Sequence, residues 1–144
     1  MTGTRQLSSF TVDDGLFGLD VEHVQEVIRT PRITPVPLAP PAVLGLANLR
    51  GQVVTVLDLR ARLGLEPRPE PGAVTVVVQH DGEVVGLVAD APGDVLEVSA
   101  DQQDPPPDAL TGPPAALISG TCRLPDRLLL VLDVEQAVRV TAPA

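Results

Sequence analysis

The chain has 144 residues, 44% of them hydrophobic, and a net charge of −9 from ten arginines against nineteen carboxylates, with no lysine. That length suits one ordinary domain or two very small barrels sharing a core, and the apolar content is enough to offset chain entropy. Phe10 and Phe17 are the only aromatic residues, so the core is expected from valine and leucine, which suit pleated sheet. The acidic balance and the missing stacking platforms exclude nucleic acid as a partner.

No charged region followed by an apolar stretch opens the chain, so no secretory signal is expected. The longest uncharged run, residues 33–49, holds four prolines and suits no membrane span. Cys122 is the one cysteine, which fits a reducing compartment, and the expected location is the cytoplasm.

Residues 7–12 and 16–19 are apolar or β-branched runs around Asp13, Asp14 and Gly15, which predicts a first hairpin. Val21, Val24, Val27 and Ile28 follow at a spacing that fits a helical turn or two running into a strand. Five prolines within 31–41 predict an extended loop. Runs at 44–49 and 53–57 flank Arg50-Gly51 and predict a second hairpin, apolar on both faces and so largely buried. Asp58 is placed to cap a short helix with Leu59 and Leu63 inward and Gly64 as its left-handed stop.

Residues 66–72 alternate proline with charge and form the best linker candidate. Beyond it, 74–79 and 84–88 flank Asp81-Gly82, a strong hairpin signal. An apolar patch at 95–98 and a proline-rich acidic surface loop at 101–114 come next. Strands at 117–124 and 128–132 turn at Pro125-Asp126, and Asp133 caps a last short helix.

An offset of 75 places Gly45 on Gly120, Leu49 on Leu124, Val56 on Val131, Leu57 on Leu132 and Asp58 on Asp133. An offset of 68 joins Gly18-Leu19 to Gly86-Leu87 and Val27 to Val95. Turns and caps coincide as well, so one supersecondary unit is used twice, and two barrels too small to be stable alone share a core.

Catalytic and metal chemistry is not expected. His23 and His80 are isolated in sequence and have no cysteine or histidine at ligand spacing. Phosphate loop, dinucleotide fingerprint and nucleophile elbow are all missing. Asp13-Asp14 fits a turn and Glu66 to Glu70 a stiff linker, both read as solvated charge, and Cys122 is read as a small buried hydrophobe. What asks for another explanation is Val24-Gln25-Glu26-Val27 together with Asn48-Leu49-Arg50-Gly51. An arginine at a hairpin tip in an apolar segment needs a partner, and Glu26 is the proposed one.

Those residues carry a resemblance to the CheW-like domain family. Gly45-x-x-Asn48-Leu49-Arg50-Gly51 followed by Val56-Leu57-Asp58-Leu59 is similar to the family signature, with Val24-x-Glu26-Val27 upstream. Val84-Val85-Gly86-Leu87-Val88-x-Asp90 and Asp94-Val95-Leu96 resemble its middle block. Leu124-x-Asp126-Arg127-Leu128-Leu129-x-Val131-Leu132-Asp133 resembles its last. The resemblance implies a mainly β fold of two packed five-stranded SH3-like barrels with short helices. It is expected as one domain over 1–144, with a first barrel over roughly 7–65, a second over roughly 73–140, and chain ends open to exchange between them.

The resemblance also implies a role: a non-catalytic scaffold coupling the cytoplasmic tips of chemoreceptors to the regulatory domain of the histidine kinase CheA. The alternative is an adaptor of a chemosensory-type pathway controlling pili, development or another non-flagellar output. It implies no cofactor, no membrane insertion, and a monomer that becomes an array member at membrane-anchored receptors. Carried over, Val24, Glu26, Val27, Asn48, Leu49, Arg50 and Gly51 form a receptor or kinase interface, and Asp90, Pro92, Asp94 and Val95 a second kinase interface. Two departures stand out: Thr55 where the family often has proline, expected to alter only a strand edge, and Pro92 in place of a common aliphatic.

Overall fold

The computed structural model describes residues 3–139. Strands β1 (Thr4–Val12) and β2 (Gly15–Asp20) form the first hairpin, with Asp13 at φ 53° in its turn. The ambiguous stretch after it is both things in succession: a 3-10 turn, Val21–His23, then β3 (Val24–Arg29). The proline-rich loop meets the sheet through an isolated bridge from Thr34 to Leu46. Then come β4 (Val43–Leu49), β5 (Gln52–Asp58) and helix α1 (Leu59–Arg62). The Asp58 carboxylate accepts from the Arg60 amide at 3.0 Å, Leu59 and Leu63 are buried, and Gly64 has φ 76°, as the capping pattern predicts.

The second half runs β6 (Val74–His80), β7 (Glu83–Ala89) and β8 (Ala91–Ser99), then a 3-10 turn at Ala100–Gln102 and β9 (Gln103–Asp104). It ends with α2 (Pro113–Leu117), β10 (Ile118–Arg123), β11 (Leu128–Leu132) and α3 (Val134–Val138), the last capped by Asp133. The stretch 101–114, expected as plain loop, therefore contains part of a 3-10 turn, a short strand and the start of α2. The two prolines of α2 sit in its first turn, where amides have no partner within the helix, so they do not break it.

The strands form two sheets, in the orders β8-β1-β2-β11-β10-β9 and β3-β6-β7-β5-β4. Sheet membership therefore does not follow the boundaries expected at 7–65 and 73–140. The β1–β2 hairpin lies among strands of the second half, and the β6–β7 hairpin among strands of the first. Each half lends its opening hairpin to the other, and the 66–72 segment carries the chain between β5–α1 and a hairpin of the same sheet.

The duplication is visible in the register. Val56 faces Gly86 across the parallel β5–β7 junction, and Val131 faces Gly18 across the parallel β11–β2 junction. Val27 pairs with Val76 and Val95 with Ser8. Irregularities recur at Val43/Gly45 and Ile118/Gly120, and again at Val24/Glu26 and in β1–β8 between Ser8 and Phe10, where Pro92 pairs with Phe10. Offsets of 75 and 68 relate all of these pairs.

Three apolar clusters follow from that arrangement. The largest is shared, drawing Phe10, Phe17, Leu19 and Leu132 from one sheet and Leu57, Val76, Val78 and Leu87 from the other. Leu7, Val98, Cys122 and Leu129 belong to a cluster of the six-stranded sheet, and Ala47, Val54, Val56 and Val88 to one of the five-stranded sheet. The second hairpin is not largely buried as expected. Val53 is 62% exposed and Leu46 37%, and β4, which carries Leu46, is an edge strand. Thr55 corrects a second expectation: β5 is paired on both sides, to Leu46 and to Val85, so this residue is not at an edge.

Candidate functional site

In the five-stranded sheet β3 and β4 are the two edges, and a side-chain contact from the β4–β5 tip reaches across to β3. Glu26 shares the inward-leaning face of β3 with Val24 and Ile28, opposite Val77. Arg50 and Gly51 turn the β4–β5 hairpin with φ of 54° and 86°, the paired positive angles that two-residue hairpin loops favour. The Asn48 side-chain oxygen accepts the Gly51 amide at 2.9 Å and fixes that tip. Arg50 Nη1 then reaches Glu26 Oε2 at 2.8 Å. One ion pair thus closes the mouth of the barrel, over a small cavity that Leu49, Val54 and Val77 help to line.

The pairing expected from sequence is present, and its burial sets its value. The Arg50 side chain is 82% exposed and that of Glu26 25%, so the contribution to folding is about 0 to 1 kcal/mol. Such a pair is worth more as presented surface than as fold stability. Around it, Val24 packs on the shared core, Leu49 on the cluster inside the barrel, and Val27 points outward, 40% exposed.

The second set of residues occupies the equivalent place on the other barrel. An offset of 68 carries Val24, Glu26 and Val27 onto Pro92, Asp94 and Val95, in matching register. Val95 is 61% exposed, Pro92 and Asp94 are exposed, and the Asp94 carbonyl accepts the Ser9 hydroxyl at 2.6 Å. The tip matching Arg50-Gly51 is Pro125-Asp126, so the second mouth offers acid where the first offers an ion pair. Scaffold is conserved between the halves, and surface chemistry is not.

Asp90 behaves differently from its neighbours. Its side chain is 15% exposed, and one oxygen accepts the Asp13 amide at 2.7 Å. Around it stands a charge network that the sequence did not disclose. Arg60, 7% exposed, bonds the Asp13 carboxylate, donates twice to the Glu66 carbonyl at 3.0 and 2.8 Å, and lies 3.7 Å from Asp90. Arg68 approaches Asp13 at 3.0 Å and Asp90 at 3.5 Å. Asp13 is therefore an internal partner and not merely solvated turn charge. Its hydrogen bond from Arg60 holds the carboxyl below its usual range, whereas burial pushes Asp58 up. A pattern that places Leu59 and Leu63 inward carries no sign that Arg60 is covered, because the cover comes from the hairpin tip and the 66–72 segment.

His23 and His80, isolated in sequence, stand edge to face with ring centroids 6.0 Å apart. Cys122 is fully buried, and burial raises its thiol pKa. No helix of the described residues is long and apolar enough to cross a membrane.

A two-barrel β scaffold with two equivalent mouths carrying different chemistry has the architecture of a binding module. Comparison with known proteins agrees. The family model for the CheW-like domain matches residues 6–142. The chain is 34% identical over 134 residues to the chemotaxis protein CheW of Rhizobium meliloti, covering 92% of this chain and 86% of that one. It is 30% identical over 128 residues to the chemotaxis protein CheW of Klebsiella aerogenes, covering 88% and 77%. The crystal structure of the scaffolding protein TtCheW from Thermoanaerobacter tengcongensis superposes with a TM-score of 0.83 at 28% identity, over 91% of this chain and 90% of that one. This chain belongs to the CheW-like domain family, and its role is that of a chemotaxis scaffold.

Proposed function

We propose that the chain couples the cytoplasmic tips of chemoreceptors to the regulatory domain of the histidine kinase CheA, acting by binding alone. The observation that carries this is the Glu26–Arg50 contact at 2.8 Å, which unites the two motif segments into one exposed surface. Val24, Val27, Asn48, Leu49 and Gly51 shape that surface, while Pro92, Asp94 and Val95 form the equivalent patch for the kinase. Asp90 acts behind this patch, as an internal partner of Asp13 and the arginines. Two unlike patches on one chain bind two unlike partners, and head-to-tail contacts of that kind propagate an array instead of closing a dimer. In this reading the free chain is a cytoplasmic monomer recruited to membrane-anchored receptors.

The test is binding of the purified chain to a receptor-tip fragment and, separately, to the kinase regulatory domain. Glu26→Ala and Arg50→Ala each weaken the same interaction by about tenfold, or about 1.4 kcal/mol, and the double variant loses little more. Val95→Asp weakens kinase binding and leaves the receptor interaction intact. No binding of either partner at high micromolar concentration sinks the coupling role. Independent, additive losses for Glu26 and Arg50 would show that the pair does not act as a unit.

A further inference from the structure

The strand irregularity beside each mouth occurs twice and is held in two different ways. On β3, Val24 stands opposite Val78 and Glu26 opposite Val77, so Gln25 is one residue more than β6 can pair. On β8, Pro92 stands opposite Phe10 and Val95 opposite Ser8, so Gly93 and Asp94 share the single residue Ser9. The offset of 68 carries Val24, Gln25, Glu26 and Val27 onto Pro92, Gly93, Asp94 and Val95, and Ser8, Ser9 and Phe10 onto Val76, Val77 and Val78. Residues three apart lie on opposite faces of a regular strand. The extra residue puts Pro92 and Val95 on one face, because their partners Phe10 and Ser8 are two apart.

In the first barrel the residue opposite the bulge is Val77, which has no polar side-chain atom, and the Glu26–Arg50 ion pair ties the bulge to the hairpin tip. In the second barrel that tip is Pro125-Asp126, and neither residue carries a cation. Here the bulge is tied from the neighbouring strand instead: the Ser9 hydroxyl donates to the Asp94 carbonyl oxygen at 2.6 Å. Ser9 is 4% exposed, so the bond is shielded from competing water. Gly93 completes the fit. A Cβ at this position would collide with the Ser9 hydroxyl and crowd the Ser9 carbonyl oxygen at 3.0 Å. We infer that Ser9 is a positioning residue for the second mouth: by holding the Asp94 carbonyl, its hydroxyl sets the bulge that presents Pro92, Asp94 and Val95 to the kinase regulatory domain. The inference rests on the reading of that patch as the kinase surface. Ser9 is buried on β1, between β8 and β2, and acts through Asp94 without touching the partner.

The full chain and its variants are measured for binding to the kinase regulatory domain and to a receptor-tip fragment, with backbone NMR signals and urea midpoints recorded alongside. Ser9→Ala is expected to weaken kinase binding by about threefold to tenfold, the range one hydrogen bond supplies, and to leave receptor binding unchanged. The amide signals of Gly93, Asp94 and Val95 move in this variant, and those of 24–27 stay in place. Ser119→Ala removes a hydroxyl bond to the Val131 carbonyl oxygen in the same sheet; as the control for general stability, it keeps kinase binding. Gly93→Ala weakens kinase binding in the parent, and less so in Ser9→Ala, where the hydroxyl it would strike is gone. It reaches the same contact from the other strand, so in the parent it decides the matter if Ser9→Ala does not fold. Val95→Asp separates the two claims. If it leaves kinase binding intact, the patch reading fails and the role of Ser9 falls with it. If Val95→Asp weakens binding while Ser9→Ala binds the kinase as the parent does, or leaves the 93–95 signals in place, Ser9 is not a positioning residue. A loss of kinase binding in Ser119→Ala equal to that in Ser9→Ala would overturn the assignment as well.

Discussion

Arg60→Met tests whether the buried charge network holds the two sheets together. Arg60 is 7% exposed, donates twice to the Glu66 carbonyl, pairs with Asp13 and lies 3.7 Å from Asp90. Methionine keeps much of the packing and removes every donor, leaving Asp13 and Asp90 close together under a single arginine. Breaking a buried pair from one side costs about 3 to 5 kcal/mol. The low end applies, about 3 kcal/mol, because the Asp13 side chain is 40% exposed and Arg68 remains 3.0 Å from it. With a urea m-value of about 2 kcal/mol per molar, the unfolding midpoint falls by about 1.5 M. Arg139→Met, at an exposed pair of 4.0 Å, serves as the control and changes stability by less than about 0.5 kcal/mol. A midpoint shift under about 0.3 M at unchanged m would refute the reasoning. Adding Asp13→Asn to Arg60→Met should recover part of the loss, since it removes the charge left unpaired.

Two other predictions come from the same geometry. The Asp13 carboxyl is held below its ordinary value of 3.8, so the stability it supplies is complete above that value and lost as pH falls toward the lower, folded one. Stability measured against pH should therefore decline less steeply below about pH 4 in Asp13→Asn than in the parent; equal slopes would contradict the linkage. Gly45 and Gly120 are equivalent in the repeat but not in constraint. Gly45 has φ 149° and would place a Cβ 2.1 Å from the Thr34 carbonyl oxygen, whereas a Cβ on Gly120 meets the Asp104 carbonyl oxygen at 3.1 Å. Gly45→Ala should cost about 2 kcal/mol or more and Gly120→Ala less than about 1, by urea unfolding, and equal losses would contradict the difference.

What the sequence disclosed was mostly local. Asp13-Asp14, Arg50-Gly51 and Asp81-Gly82 turn their hairpins where the turn residues say they should, and Asp58 and Asp133 cap their helices. The Glu26–Arg50 pair was also legible, because an arginine inside an apolar segment needs a partner within reach. Pairing between distant strands was not. Nothing in 4–12 or 91–99 taken alone says that β1 lies beside β8, so the repeat was visible and exchange of the chain ends was left open, while which hairpins pair across the halves was not legible. The outer face of β4–β5 misled for a related reason: Leu46 and Val53 look like core in an apolar run, and only the assembled sheet shows that they are exposed. Arg60 and the two histidines depend on segments brought together by that exchange and by the pairing of β3 with β6. No spacing rule reports such contacts.

The coupling role is tested most directly by sedimenting receptor-bearing membranes with the kinase regulatory domain, with and without this chain. The account predicts that the kinase domain sediments when the chain is present and stays in solution when it is absent. Val95→Asp should leave the chain on the membranes and the kinase domain in solution, and Arg50→Ala should weaken the assembly at the other mouth. Kinase recruitment that is the same with and without the chain, or a chain that never reaches the membranes, would contradict it.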